Sequence, residues 1–245
     1  MRPVIGIPLR YQKLSDDRPI IYMSERLRRT IQLAGGFVYP IAPVQNVDYI
    51  NTKGNEFDEL TNEEKYIINY SLDKCDGLLF PGGIKFTPYD RYLLEVAIEK
   101  GIPVLGICLG MQLMSCYGGD VILEQNETEI NHNQEDDNDM THRVKIFKNS
   151  KLYNILGKEE IVVNSFHNMH ATVNDIYKVT AMSEDGLIEG IEYPSDTFNV
   201  GIQWHPEISY EFDDDSRKIV DAFIESAIHF KNDKCEKKTD TIVKG

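Results

Sequence analysis

The stretch Pro103-Val104-Leu105-Gly106-Ile107-Cys108-Leu109-Gly110-Met111-Gln112 changes character at its middle. Residues 103–107 are an unbroken apolar run, the kind of strand that lies inside a parallel sheet with both faces covered. Residues 109–117 read as an apolar helix. Cys108 stands between two glycines, which let strand and helix crowd against a sharply turned central residue, the form of a nucleophile elbow with Cys in place of Ser. Such a turn exposes its side chain at the carboxyl edge of the sheet, where open α/β sheets place their sites. The N-terminus of the helix adds partial positive charge beside the sulfur and favours thiolate over thiol.

Outward from the elbow, short β-rich runs alternate with helical patterns, the signature of βαβ units. Strands are expected at Val4-Ile5-Gly6-Ile7, Phe37-Val38-Tyr39 and Gly77-Leu78-Leu79-Phe80. Helices are expected from Ser24 to the Gly35-Gly36 stop, over 62–74 and over 89–100. Beyond residue 120 the candidate strands, around 142–147, 160–163, 176–182, 187–193 and 198–203, follow at hairpin spacing, which predicts an antiparallel edge added to the parallel sheet. The segment 124–141 has seven acidic side chains and neither Lys nor Arg, and reads as a solvated loop. A last helix, Ser216 to His229, has an apolar stripe for docking on the sheet. The expected organisation is one domain over 1–230, α/β and flavodoxin-like with a doubly wound, mostly parallel sheet, followed by a flexible polar tail over 231–245.

The chain has 245 residues with 26 basic and 40 acidic side chains, a formal net charge of −14. That balance argues against nucleic acid as a partner, since phosphate binding needs a clustered basic face. No apolar run approaches the roughly 20 residues of a membrane helix, and Met1-Arg2-Pro3 leads straight into a strand pattern, so a soluble, cytoplasmic protein is expected. The cysteines Cys75, Cys108, Cys116 and Cys235 are scattered and lack zinc-type spacing, which favours free thiols.

Gln203-Trp204-His205-Pro206-Glu207 closes the last strand. A His leaving that edge can act as base toward the Cys108 thiol and as acid toward a leaving amine. Glu207, across a stiffening proline, can reach the other imidazole nitrogen and fix its tautomer. Pro81-Gly82-Gly83 ends a neighbouring strand, and its N–H groups can face a developing oxyanion together with the Leu109 N–H. The other histidines, His132, His142, His167, His170 and His229, have no comparable partner nearby in sequence.

Taken together, the elbow, the Gln203–Glu207 motif and Pro81-Gly82-Gly83 resemble the class I glutamine amidotransferase superfamily. The layout, with Asn164-Ser165-Phe166-His167 between elbow and His205, is most similar to its stand-alone γ-glutamyl hydrolase and γ-glutamyl-γ-aminobutyrate hydrolase branch, the C26-type peptidases. The resemblance implies a thiol-dependent γ-glutamyl amide hydrolase with Cys108 as nucleophile, His205 as base and acid, and Glu207 as orienter. It further implies Gly83 and Leu109 as oxyanion donors, Gln112 as a contact to the glutamyl group, and Ser165 and Phe166 as backbone contacts to its α-amino and carboxylate ends. The partner is then a small γ-glutamyl substrate. No metal ion or organic cofactor is required, and no residue is assigned as a metal ligand.

The chain departs from that branch where it has Lys85 after the glycine pair and Leu109 after the nucleophile. Lys85 is expected to bound the leaving-group side and to favour an anionic leaving group. Leu109 favours the alternative of a glutaminase subunit delivering ammonia to a separate synthase. A third reading, a binding module that has lost activity, predicts a broken triad, and all three members are present. Leaving group and oligomeric state stay open.

Overall fold

The computed structural model describes residues 1–243 except 54–55, 120–122 and 137–138, and for 237–243 the backbone alone. Strand β1 (Val4–Pro8) is followed by a hairpin of β2 (Arg10–Lys13) and β3 (Pro19–Tyr22), then α1 (Glu25–Leu33), β4 (Phe37–Ile41), α2 (Asn62–Leu72), β5 (Gly77–Phe80) and α3 (Pro88–Glu99). The elbow follows as β6 (Val104–Ile107) and α4 (Leu109–Ser115). The second half comprises β7 (Leu123–Gln125), β8 (His142–Ile146), α5 (Lys151–Leu156), β9 (Glu160–Val163), β10 (Met169–Ala171), β11 (Lys178–Ser183), β12 (Ile188–Glu192), β13 (Asn199–Ile202), α6 (Pro206–Ser209) and α7 (Asp214–Val243).

The main sheet has the order β4-β1-β5-β6-β13-β12-β11-β8-β9. Its first five strands pair in parallel, in the flavodoxin-type order 2-1-3-4-5. The remaining four pairings, from β13–β12 to β8–β9, are antiparallel. Side chains alternate across the parallel part: Ile5, Ile7, Leu79, Leu105 and Ile107 pack with Leu27 and Ile31 of α1 and Phe223 of α7. Leu78, Phe80 and Val104 pack on the opposite face with Ile68 of α2, Leu93 of α3 and Met111 of α4. Both faces are thus covered by helices, as the α/β reading requires.

Two expectations are altered. Helix α7 runs on to Val243 through residues expected as a tail, and the Lys231 and Lys234 ammonium groups anchor its continuation on Arg2, Asp73, Cys75 and Asp76. In the acidic segment the described carboxylates are exposed, yet it is no plain solvated loop: His132 and Gln134 are buried and Asn133 bridges to Phe166. Asp137 and Asn138 lie outside the described residues.

Candidate active site

Cys108 occupies φ +52°, ψ −109°, a strained conformation for a residue with a side chain, of the kind found where a fold holds a reactive group in place. Both glycines are sterically required. A Cβ on Gly110 would lie 2.2 Å from the Phe80 carbonyl oxygen, and one on Gly106 would lie 2.5 Å from Met114 Sδ and 2.8 Å from the Gly110 carbonyl carbon. The Cys108 N–H donates to Ile202 O at 2.8 Å, which ties the elbow to β13, the strand that leads to His205.

His205 and Cys108 meet across Gly82, whose added Cβ would stand 2.9 Å from His205 Cε1 and 3.6 Å from Cys108 Cβ. On the far side of the ring, His205 Nδ1 is 2.8 Å from Glu207 Oε1. His205 Nε2 is buried without a fixed hydrogen bond, so it can exchange a proton with sulfur or leaving group. Burial alone would lower the imidazole pKa. The Glu207 carboxylate and the Cys108 sulfur outweigh it and hold the pKa well above its ordinary value.

Residues without an assigned role in the sequence reading hold these groups in place. Asn164 clamps the His205 backbone, Nδ2 donating to its carbonyl and Oδ1 accepting from its N–H, both at 2.8 Å. Arg10, buried at the start of β2 just beyond β1, donates to Pro81 O at 3.0 Å and Gly82 O at 3.2 Å, and pairs with the wholly buried Asp90 at 2.7 Å. In a trans peptide the N–H points opposite to the preceding C=O. Arg10 draws the Gly82 carbonyl to one side, and this turns the Gly83 N–H to the other, as an oxyanion donor requires. Leu109 opens α4, so its N–H lacks a partner within the helix. Asp90 also caps α3, Oδ2 accepting from the Thr87 N–H at 2.9 Å. The pattern Thr87-Pro88-Tyr89-Asp90 was a usable sequence signal for that cap; nothing local pointed to Arg10.

The expected substrate contacts divide. Gln112 Nε2 donates to Met169 O at 3.0 Å and lies 3.3 Å from Gln203 Oε1, so its amide is engaged inside the protein. Ser165 is also committed: its N–H donates to Gln134 Oε1 at 2.6 Å, its hydroxyl to His132 O at 2.8 Å, and its carbonyl accepts from the Gln134 N–H. Phe166 differs, because its bridge to Asn133 uses the flanking residues and its own N–H and C=O have no described partner. Its ring stands edge-on to His205 at 5.5 Å. A cleft of about 520 Å³ opens beside the centre, lined by Gly82, His205 and Glu207 and by Arg10, Tyr22 and Leu27. Lys85 does not fit the expected leaving-group role: its ammonium donates to the Ile50 and Thr52 carbonyls and sits over the Tyr11 and Phe57 rings.

Comparison with known proteins identifies the family. Residues 87–207 match the Peptidase C26 family. A glutamine amidotransferase-type protein of Schizosaccharomyces pombe is 35% identical over 137 residues, 54% of this chain and 53% of its own length, so the match spans about half of that relative. The γ-glutamyl-γ-aminobutyrate hydrolase of Escherichia coli is 30% identical over 197 residues, 68% of this chain and 77% of the relative. Among solved structures, the glutaminase domain of Trypanosoma brucei CTPS with bound acivicin shares the fold at a TM-score of 0.59 and 15% identity, covering 93% of this chain and 94% of that one. The chain belongs to the class I glutamine amidotransferase superfamily, in the γ-glutamyl hydrolase-like branch described as Peptidase C26.

Proposed function

We propose that the protein hydrolyses a γ-glutamyl amide bond through a thioester on Cys108. The observation that carries this is the meeting of Cys108, His205 and Glu207 at the ends of β6 and β13. His205 takes the thiol proton, and sulfur attacks the γ-carbonyl carbon. The tetrahedral oxyanion is held by the Gly83 and Leu109 N–H groups. Collapse breaks the C–N bond while imidazolium gives its proton to the departing amine. Water, deprotonated by His205, then attacks the thioester, releasing the γ-carboxylate and returning the thiol. Glu207 keeps the imidazole oriented and supports the imidazolium.

A second reading, a glutaminase that supplies ammonia to a separate synthase, is favoured by Leu109 after the nucleophile and by the likeness to a CTPS glutaminase domain. Incubating the isolated protein with glutamine and a panel of γ-glutamyl amines separates the two. Amine release without any partner supports the hydrolase. Inertness toward the amines, with ammonia released from glutamine only when a synthase is added, supports the subunit.

A further inference from the structure

Three of the histidines that stand apart in sequence converge in the core behind Ser165 and Phe166. His132, His142 and His167 are 3%, 4% and 4% exposed, and Glu189 of β12 is wholly buried. A single oxygen, Glu189 Oε1, has His132 Nδ1 at 3.4 Å, His142 Nε2 at 3.2 Å and His167 Nε2 at 3.5 Å. Three N–H groups crowd one acceptor poorly, and most of these separations exceed the roughly 2.7–3.2 Å of a good N–H···O bond. His132 Nδ1, His167 Nε2 and Glu189 Oε2 are left buried with no hydrogen-bond partner, a costly state for groups shut away from water.

The same spacing suits a cation. Ligand atoms about 2.0–2.1 Å from a tetrahedral zinc-type ion stand about 3.3–3.4 Å from one another, close to the three nitrogen-to-oxygen separations around Glu189 Oε1, and the ligand atoms of His132, His142 and Glu189 all lie within 4.8 Å of one another. The outward nitrogens are placed to match. His132 Nε2 lies 2.9 Å from Asp185 Oδ2, His167 Nδ1 lies 3.1 Å from Met169 O with the Asn126 amide nitrogen at 3.2 Å, and His142 Nδ1 faces Thr141 Oγ1 at 3.4 Å. An acceptor on the outer nitrogen keeps the proton there and leaves the inner lone pair for a metal, the arrangement found around histidine ligands.

We propose that His132, His142, His167 and Glu189 form a closed structural site for one divalent cation of the zinc class, with Asp185 as the outer carboxylate that orients His132. Three imidazoles and one carboxylate favour such an ion over magnesium or calcium, which prefer oxygen. Its two charges are balanced by Glu189 and Asp185 together. Four protein ligands leave no open position for chemistry, so the role is to brace the substrate side. The His132 carbonyl accepts from the Ser165 hydroxyl at 2.8 Å and from the His167 N–H at 2.7 Å. The Met169 carbonyl beside His167 is the acceptor for Gln112. The site thereby fixes the segment that presents Phe166 to His205.

The test uses the tag-free full chain carrying Cys108→Ala, so that metal at the active-site thiol does not count. The chain is stripped with a chelator, then titrated with Zn²⁺ by calorimetry and with Co²⁺ by visible absorption. One equivalent is expected, with the strong bands of tetrahedral cobalt and no thiolate-to-cobalt charge transfer. Glu189→Gln should abolish the site, and Asp185→Asn, a milder change whose folding is checked by circular dichroism, should weaken zinc binding about 10–100-fold. Failure of the stripped chain to take up one equivalent, an octahedral or thiolate spectrum, or equal affinity with and without Asp185→Asn overturns the proposal and leaves a proton-sharing cluster.

Discussion

Strands β5 and β6 bury apolar side chains and glycine alone, whereas β8 and β12, further along the same sheet, bury His142, Glu189 and Glu192. The first pair is held by shape. Gly106 and Gly110 let α4 press onto β6 and Phe80, and the closeness of that contact is what forces Cys108 outward. The second pair is held by directed bonds: Glu192 takes the N–H groups of Lys151 and Leu152 at 2.9 and 2.8 Å, capping α5, and Glu189 gathers three imidazoles. The surrounding imidazoles of His132, His142 and His167 outweigh the effect of burial and hold the Glu189 carboxyl well below the usual carboxylate range. The elbow is thus set by packing, and the far wall of the candidate site by polar satisfaction. A substitution should act differently on the two sides.

The largest effect is expected at the sulfur. Cys108→Ala removes the thiol at the carboxyl edge beside His205, and turnover should fall by at least about a thousandfold with little change in the urea midpoint. Residual activity within tenfold of wild type would break the assignment of the nucleophile. Next comes a test of shape alone: Gly110→Ala places a methyl 2.2 Å from the Phe80 carbonyl oxygen. The overpacking should cost about 3 kcal/mol in urea unfolding despite the better helix propensity of alanine. A neutral outcome would mean that β5 and α4 can separate, and that the elbow is not set by their contact.

Glu207→Gln acts on charge, with size preserved. It should lower kcat by about a hundredfold and change KM much less, because the carboxylate matters most as imidazolium forms. The sign of the pH effect follows from the pair. Glu207 raises the His205 pKa, so the variant should lose imidazolium at lower pH than wild type, and NMR titration of the ring would show the transition moving down. An unmoved transition would place the source of the raised pKa elsewhere. Asn164→Ala probes the polar half. It strips partners from both the N–H and the C=O of His205, and a loss of about 2 kcal/mol in stability and about tenfold in kcat is expected. A loss of stability with kcat intact would make Asn164 a strut of the fold with no hold on the catalytic imidazole.

The same division decides what could be read from the sequence. The apolar runs at 77–80 and 103–107 and the paired glycines specify β5, β6 and the elbow because period and volume are local properties. The parallel pairing of β6 with β13 was not read, since the strand at 198–203 was expected in the antiparallel edge; the order of motifs and their resemblance to a family are what put His205 beside Cys108. Arg10, Asp90 and Asn164 were not legible as site residues, since Arg10 meets Asp90 across 80 positions and Asn164 meets His205 across 41. Their pairing depends on the completed sheet. The histidines around Glu189 were passed over for the same reason, as a search for neighbours in sequence does not find a cluster assembled from 132, 142, 167 and 189. The hairpin of β2 and β3 and the small pairing of β7 with β10 also escaped, being only three or four residues per strand.

The smallest effect is expected where the sequence reading placed the specificity. Lys85 follows the glycine pair, and a free ammonium there would favour an anionic leaving group over a polyamine. Its donors are instead engaged by the carbonyls of Ile50 and Thr52, with the Tyr11 and Phe57 rings at 5.7 and 5.6 Å, and burial lowers its pKa. An ammonium held this way stitches the 50–52 loop to the segment after β5, and its field at the cleft is screened by those partners. Lys85→Ala should therefore cost about 1 kcal/mol and speed proteolysis near residue 50. The ratio of kcat/KM for γ-glutamyl-aminobutyrate to that for γ-glutamyl-putrescine should stay within about twofold, a shift below 0.5 kcal/mol. A tenfold fall in that ratio would show that the ammonium leaves its carbonyls to meet substrate, and would return Lys85 to the leaving-group side of the pocket.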